Sequence, residues 1–282
     1  MRFVSYFAAP VFAVTALAFA CSEATAPVLA NDASTGTGDG ALSDTETLQT
    51  GRTAVVQTNK PIAGATVQIG SKQVTSDAEG RYSLIVPRGL PLTMKLRAED
   101  HYQLIEQEYI LDVPTHELGD SLTLRKSTAS LLAAFFGDYD KARGLIAVTV
   151  VPLRGCPTEG GTVLKMEQPS GASLRYTQGG VPDSNAFLTE GEENGALFYN
   201  VTPGPATITA ESPHCVQMPF PVKFQGITYT GGLITEPGES FSFMRIFLGP
   251  KPKVDGGAKD AAPADAEADA SSDADVTDAT AD

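Results

Sequence analysis

The chain has 282 residues, 42% of them hydrophobic, and carries 34 acidic against 20 basic side chains, for a formal net charge of −14. That length holds one large or two ordinary domains with buried cores. No basic stripe with interleaved aromatics occurs, which argues against a nucleic-acid partner.

The charge sits mainly at the ends. Residues 251–282 hold nine acids against Lys251, Lys253 and Lys259, residues 21–50 hold five acids and no base, and residues 51–250 hold twenty acids and sixteen bases. The two ends therefore carry most of the negative charge, where it favours solvation and repels anionic surfaces.

Residues 1–20 place a single charge, Arg2, before an apolar run from Phe3 through Phe19, the layout of a bacterial signal peptide. Leu17-Ala18-Phe19-Ala20-Cys21 resembles the lipobox of bacterial lipoproteins, in which the signal is cut before a cysteine that becomes the lipid-bearing first residue. The small Ala20 fits that pattern, while Leu17 stands four positions before the cysteine rather than three. The resemblance implies lipidation of Cys21 and a membrane partner through the lipid anchor; Ser22 is similar to the following residue of lipoproteins sent to the outer membrane. Ala18-Phe19-Ala20 is also the A-x-A cleavage pattern of a soluble secreted protein, although that reading leaves an exposed free thiol outside the cytoplasm. No later stretch approaches the ~20 apolar residues of a membrane-spanning helix. Residues 21–50 are rich in Ser, Thr, Ala, Gly and Asp, which predicts a disordered tether reaching about 30 Å.

From residue 51 the pattern becomes that of strands. Ala65, Val67 and Ile69 alternate with Thr66 and Gln68, and Tyr82, Leu84 and Val86 alternate with Arg81, Ser83 and Ile85. Gly70-Ser71 and Asp77-Ala78-Glu79-Gly80 supply the turns, and Leu92, Met94, Leu96 and Ala98 continue the alternation after Gly89-Leu90-Pro91. Pro61, Ile62, Gly64, Ala65 and Val67, followed by Thr75, Asp77, Gly80 and Tyr82, resemble the carboxypeptidase regulatory-like family, with Ser76 as one extra residue in the turn. The resemblance covers residues 51–125 and implies a transthyretin-like (prealbumin-like) sandwich. It implies no reaction, because that family is an accessory module beside many partners.

Residues 126–143 read as a helical linker. Ser127 or Thr128 serves as N-cap, Leu131, Leu132, Phe135 and Phe136 form one apolar side that packs on a sheet edge, and Gly137 is the stop. Strand patterns return at Leu145–Val151, Gly161–Met166, Gly195–Val201 and Ala206–Ala210, with Pro203-Gly204 as a turn. Their order repeats that of the first sandwich and predicts a second, diverged transthyretin-like sandwich over residues 144–249. It carries Gly/Pro-rich loops between Gln168 and Glu193 and a further hairpin within Phe220–Leu248. Residues 250–282 are low-complexity and acidic, a disordered tail. The expected fold class is all-β: tandem antiparallel β-sandwiches, one short linking helix and disordered ends.

With Cys21 lipidated, Cys156 and Cys215 remain as an even pair in an oxidising compartment, and a disulfide between them is expected at strand ends. The competing reading, a catalytic or metal thiol, lacks a CxxC or a nearby His pair. None of His101, His116 and His214 is followed three residues later by Glu, so the HxxE of the zinc carboxypeptidases is missing. His116-Glu117 imitates the start of HExxH, but Asp120 stands where the second histidine belongs. Asp138 and Asp140 with Asp112 or Asp120 offer oxygen ligands for calcium, against the plainer reading of solvated loop acids. No GxSxG occurs. Tyr176, Tyr199 and Tyr229 are candidate platforms for stacking on a glycan, against the plainer reading of core residues. The sequence thus predicts a non-enzymatic cell-envelope lipoprotein without cofactor, whose sandwiches act as spacers or protein-interaction domains toward an unknown envelope protein. The alternative is a surface carbohydrate-binding protein.

Overall fold

The computed structural model describes residues 42–252 apart from 57, 129–135, 141, 170, 179–180, 184 and 192–194. The signal segment, Cys21 and the acidic tail beyond residue 252 lie outside the described residues, as do Leu131, Leu132 and Phe135 of the expected helix. The described chain is almost entirely β: twenty-one strands, with helical residues only at 126–128 and 136.

In the first half, β1 (Glu46–Val55) lies between β4 (Arg81–Pro87) and β9 (Thr115–Thr123), antiparallel to the former and parallel to the latter. Their partners across the core are β2 (Thr66–Ile69), β3 (Lys72–Thr75), β6 (Met94–Arg97) and β7 (Gln103–Glu106), ordered β7-β6-β2-β3. Val67, Ile69, Tyr82, Val86, Met94 and Leu96, all from the inward sets of the alternation, fill the space between together with Leu104, while Leu84 is only partly buried. The turn before β4 is built as its residues suggest. Asp77 Oδ1 accepts from the N–H groups of Glu79 and Arg81 at 3.0 and 2.7 Å. Gly80 has φ 74°, and a Cβ there would stand 2.5 Å from the Thr53 carbonyl oxygen, so only glycine fits. Ser76 is buried, accepting from Ala65 N–H and donating to the Ile62 carbonyl at 2.9 and 2.7 Å. The additional turn residue thus clamps the loop that precedes β2.

β1 starts at Glu46, inside the stretch expected as tether, so residues 46–50 are a correction to that boundary. The reason is chemical. Here the inward side chains are polar, Thr47, Gln49 and Thr53, all fully buried, whereas Leu48 is half-exposed. Hydrogen bonds offset the burial cost: Thr47 Oγ1 donates to Val113 O at 2.5 Å, and Gln49 Oε1 accepts from the Tyr109 hydroxyl at 3.0 Å. A search for apolar alternation passes over such a strand.

In the second half, β10 (Gly144–Pro152), β12 (Ser173–Gln178), β13 (Val181–Asp183), β14 (Gly195–Val201) and β21 (Ser240–Pro250) form one sheet, with β17 (Cys215–Gln217) along β21. β11 (Val163–Gln168) pairs with β16 (Thr207–Glu211), and β15 (Gly204–Pro205) with β20 (Ile234–Thr235). The last strand joins the halves. β21 runs parallel to β10 on one side and to β7 on the other, making a continuous sheet ordered β13-β12-β14-β10-β21-β7-β6-β2-β3. The hairpin of β18 (Val222–Phe224) and β19 (Ile227–Tyr229) also crosses over, pairing with β8 (Tyr109–Leu111), which in turn pairs with β5 (Pro91–Leu92).

This junction has both faces covered. Leu145 and Ala147 of β10 enter one core with Leu197, Tyr199, Phe241 and Phe247, while Ile146, Val148 and Val150 enter the other with Phe198, Met244, Ile246 and Leu248. Near-continuous apolar runs are what strands buried on two sides require. Phe136 stacks on Tyr199 of β14 with ring centroids 4.3 Å apart. Cys156 and Cys215 are bridged, with Cα atoms 5.5 Å apart, tying the turn after β10 to the strand beside β21.

Candidate interaction surface

The side chains singled out by residue type do not converge. Tyr176, Tyr199 and Tyr229 are 3%, 2% and 5% exposed, which corrects their reading as glycan platforms. The Tyr176 hydroxyl accepts from Leu164 N–H at 2.8 Å, Tyr199 lies under Phe136, and Tyr229 packs 5.2 Å from Phe247. Their ring faces are spent on the core. His116 lies on strand β9 rather than on a helix, and burial pushes its imidazole pKa down. The four aspartates weighed for calcium go separate ways. Arg52 holds Asp120 through two hydrogen bonds at 2.6 and 2.7 Å, Asp112 lies 3.8 Å from Lys223, Asp140 lies 3.6 Å from Arg143, and Asp138 offers its backbone carbonyl to Asn200. Among the described residues no three His, Cys, Asp or Glu side chains gather as a metal site would need. Cys21 lies outside the described residues.

Polar contacts reinforce the junction between the halves. Glu236 accepts from Lys95 Nζ and from Gln103 Nε2, the latter at 2.8 Å, and the lysine bond holds its carboxyl below the usual carboxylate range. Lys126 pairs with Glu239 at 2.7 Å. Deeper, the Arg245 guanidinium lies 3.6 Å from Glu106, over the Phe243 ring at 4.6 Å from its centroid. Burial pushes the Glu106 carboxyl up against the opposing pull of Arg245. These contacts fix the two halves to each other.

Two concavities lie on the outer sheet. The first, about 430 Å³, is lined by Thr45, Glu46, Lys72, Ile85, Arg88 and Leu90 among others; the second, about 220 Å³, by Leu48, Thr50, Thr115, His116 and Glu117. The register places them on one surface. Leu48 sits between Ile85 and Thr115, Thr50 between Ser83 and Glu117, and Arg52 between Arg81 and Asp120. Ile85 is 45% and Leu90 56% exposed. The result is a small apolar centre framed by charge, open and shallow, which suits contact with another macromolecular surface better than enclosure of a small molecule. The signal is present in the sequence as an isoleucine at an outward position of an alternating strand.

No protein-family model and no curated protein matches the sequence. Solved structures do. The Bacillus anthracis TIE protein is similar at 11% identity with a TM-score of 0.24, over 74% of this chain and 35% of that one. The minor pilin GBS52 of Streptococcus agalactiae is similar at 10% identity with a TM-score of 0.25, over 76% of this chain and 100% of that one. The shaft pilin SpaA of Lactobacillus rhamnosus GG is similar at 10% identity with a TM-score of 0.20, over 74% and 98%. None of these likenesses bears on what the protein binds.

Proposed function

We propose that the protein is a non-enzymatic, lipid-anchored component of a bacterial cell envelope, whose joined β-sandwiches form a rigid spacer that presents a protein-interaction surface. The observation that carries this reading is the sheet that continues through both halves by way of β21. Bending the molecule there would break the parallel ladders to β10 and β7 and expose Phe247, which is fully buried. A block without a hinge transmits position, and the surface on β4-β1-β9 is then held at a defined place. The anchor rests on the lipobox resemblance at Leu17–Cys21, and the accessory character on the resemblance of residues 51–125 to the carboxypeptidase regulatory-like family.

The test is metabolic labelling with a fatty acid in the native host. The wild-type band should carry label and Cys21→Ala should lose it; an unlabelled wild-type band ends the anchor reading. Polysaccharide affinity electrophoresis across a broad glycan panel separates the carbohydrate-binding alternative, and unaltered migration is the expected result.

A further inference from the structure

We infer that the free edge of β4 is a docking site for an extended acidic peptide of a partner protein, which adds as one more strand beside Ser83 and Ile85. Among the described residues β4 pairs only with β1, at the end of its sheet. Arg88 N–H donates to Thr45 O at 2.8 Å and Thr53 N–H to Gly80 O at 2.7 Å. With the intervening register, these bonds assign Gly80, Tyr82, Leu84, Val86 and Arg88 to the side facing β1. In an antiparallel ladder the residues between them turn their N–H and C=O groups the other way, and those are Arg81, Ser83, Ile85 and Pro87. Arg81 is already engaged, its N–H by Asp77 Oδ1 at 2.7 Å and its carbonyl by Asp77 N–H at 2.9 Å. Pro87 has no N–H to give. The open stretch is therefore short and closed at both ends, blunted against unlimited sheet growth but long enough for a partner strand of about five residues.

Charge selects the occupant. Arg81 stands directly across from Arg52, whose charge is met by Asp120; among the described residues neither Arg81 nor Arg88 has a carboxylate within ion-pair distance. Like charges facing each other across a pair are unfavourable, and an acidic residue on an added strand relieves this. The neighbouring acid, Glu46, is occupied: its Oε2 accepts from Ser43 N–H and Oγ at 3.2 and 2.9 Å, with Lys72 close by. Ile85 and Leu90 supply apolar contact for alternate side chains of the incoming segment.

The inference rests on the protein-interaction reading and is independent of the lipid anchor, so its test uses the unlipidated chain of residues 22–282. The probe is a fluorescein-labelled seven-residue peptide alternating aspartate with valine, and the control replaces each aspartate by lysine. Fluorescence anisotropy should show saturable binding of the acidic peptide and binding at least about tenfold weaker for the basic one. Ser83→Pro, which removes an outward N–H, should weaken binding by about tenfold, while Ser83→Ala should leave it unchanged because the contact is to backbone. In the wild-type protein, amide exchange at Ser83 and Ile85 should slow when the acidic peptide is added, a readout that needs no variant to fold. Unchanged exchange at both amides, equal affinity for the two peptides, or equal loss in Ser83→Ala and Ser83→Pro would overturn the inference. So would a homodimer in sedimentation equilibrium that Ser83→Pro dissolves, since the occupant would then be a second copy.

Discussion

Strands β1 and β21 are each hydrogen-bonded on both sides, yet their side chains are opposite in kind. β1 turns Thr47, Gln49 and Thr53 inward and leaves Leu48 half-exposed, whereas β21 buries Phe241, Met244, Ile246, Phe247 and Leu248 on two faces. The outer sheet has solvent on one side, so its stability needs only one filled face, and hydrogen-bonded polar groups can occupy part of it. The junction has a core on each side, so every residue there counts twice: for the half it belongs to and for the attachment between halves. The difference teaches where the molecule can afford to vary. The outer sheet is free to carry a recognition surface, and the junction is not.

The largest expected effect is at the junction. Phe247→Ala removes a fully buried ring that packs against Tyr229, Phe224 and Phe220, at a cost of up to about 5 kcal/mol. Denaturant unfolding followed by circular dichroism should show one transition at a lower midpoint; two separated transitions would show that the halves unfold independently.

Reducing the Cys156–Cys215 bridge, which spans 59 residues, should cost about 4 kcal/mol by the loop-entropy relation. The comparison makes this sharper than a local effect. Because Cys215 opens the strand beside β21, hydrogen exchange should accelerate in β2 and β6 of the first half as well as in β16. Acceleration confined to the second half would break the shared-strand account.

Gln49→Leu on β1 should cost about 1–3 kcal/mol, because it leaves the buried Tyr109 hydroxyl without its acceptor. Leu48→Ser, one position along and facing outward, should change the melting temperature little, within about 0.5 kcal/mol. Equal effects would mean that the two faces of β1 are not as different as their burial says.

The smallest expected effect is a pH dependence at His116. Burial lowers its pKa from the ordinary value of 6.5, so as pH falls below that value the unfolded chain takes up the proton first. Stability from this group is therefore complete above 6.5 and declines as pH drops toward the lower folded-state value. His116→Gln should flatten the stability profile in that window alone, measured by thermal melts between pH 7 and 5; an unchanged slope would remove His116 as its source.

Much of the fold was legible from local rules. The alternation in Thr66–Ile69 and Arg81–Pro87, the turn at Asp77–Gly80 and the pairing of Cys156 with Cys215 all appear where residue type and spacing place them. Each depends on physics that acts within a few residues or on a choice with one remaining partner. The candidate site is only half legible: Ile85 is an apolar residue at an outward position of an alternating strand, but the neighbours that make it a surface, Leu48, Leu90 and Lys72, come from three other segments.

What the sequence by itself determined is where the strands of apolar alternation lie, which face of strands such as β2 and β4 is buried, and that the chain is all-β. What only the tertiary structure decided is which core each apolar run enters. Leu145–Val151 reads as a buried strand in any sandwich, and nothing in its period says that it lies against β21, or that β21 also pairs with β7 of the other half. The hairpin 222–229 reads as part of its own neighbourhood, yet completes the first half through β8. Tyr176, Tyr199 and Tyr229 look the same whether their side of the strand is wet or dry, and here all three face a core. Periodicity encodes the orientation of a side chain relative to its own backbone; which partner waits on that side is set by contacts between residues far apart in the chain, and those exist only once it has folded.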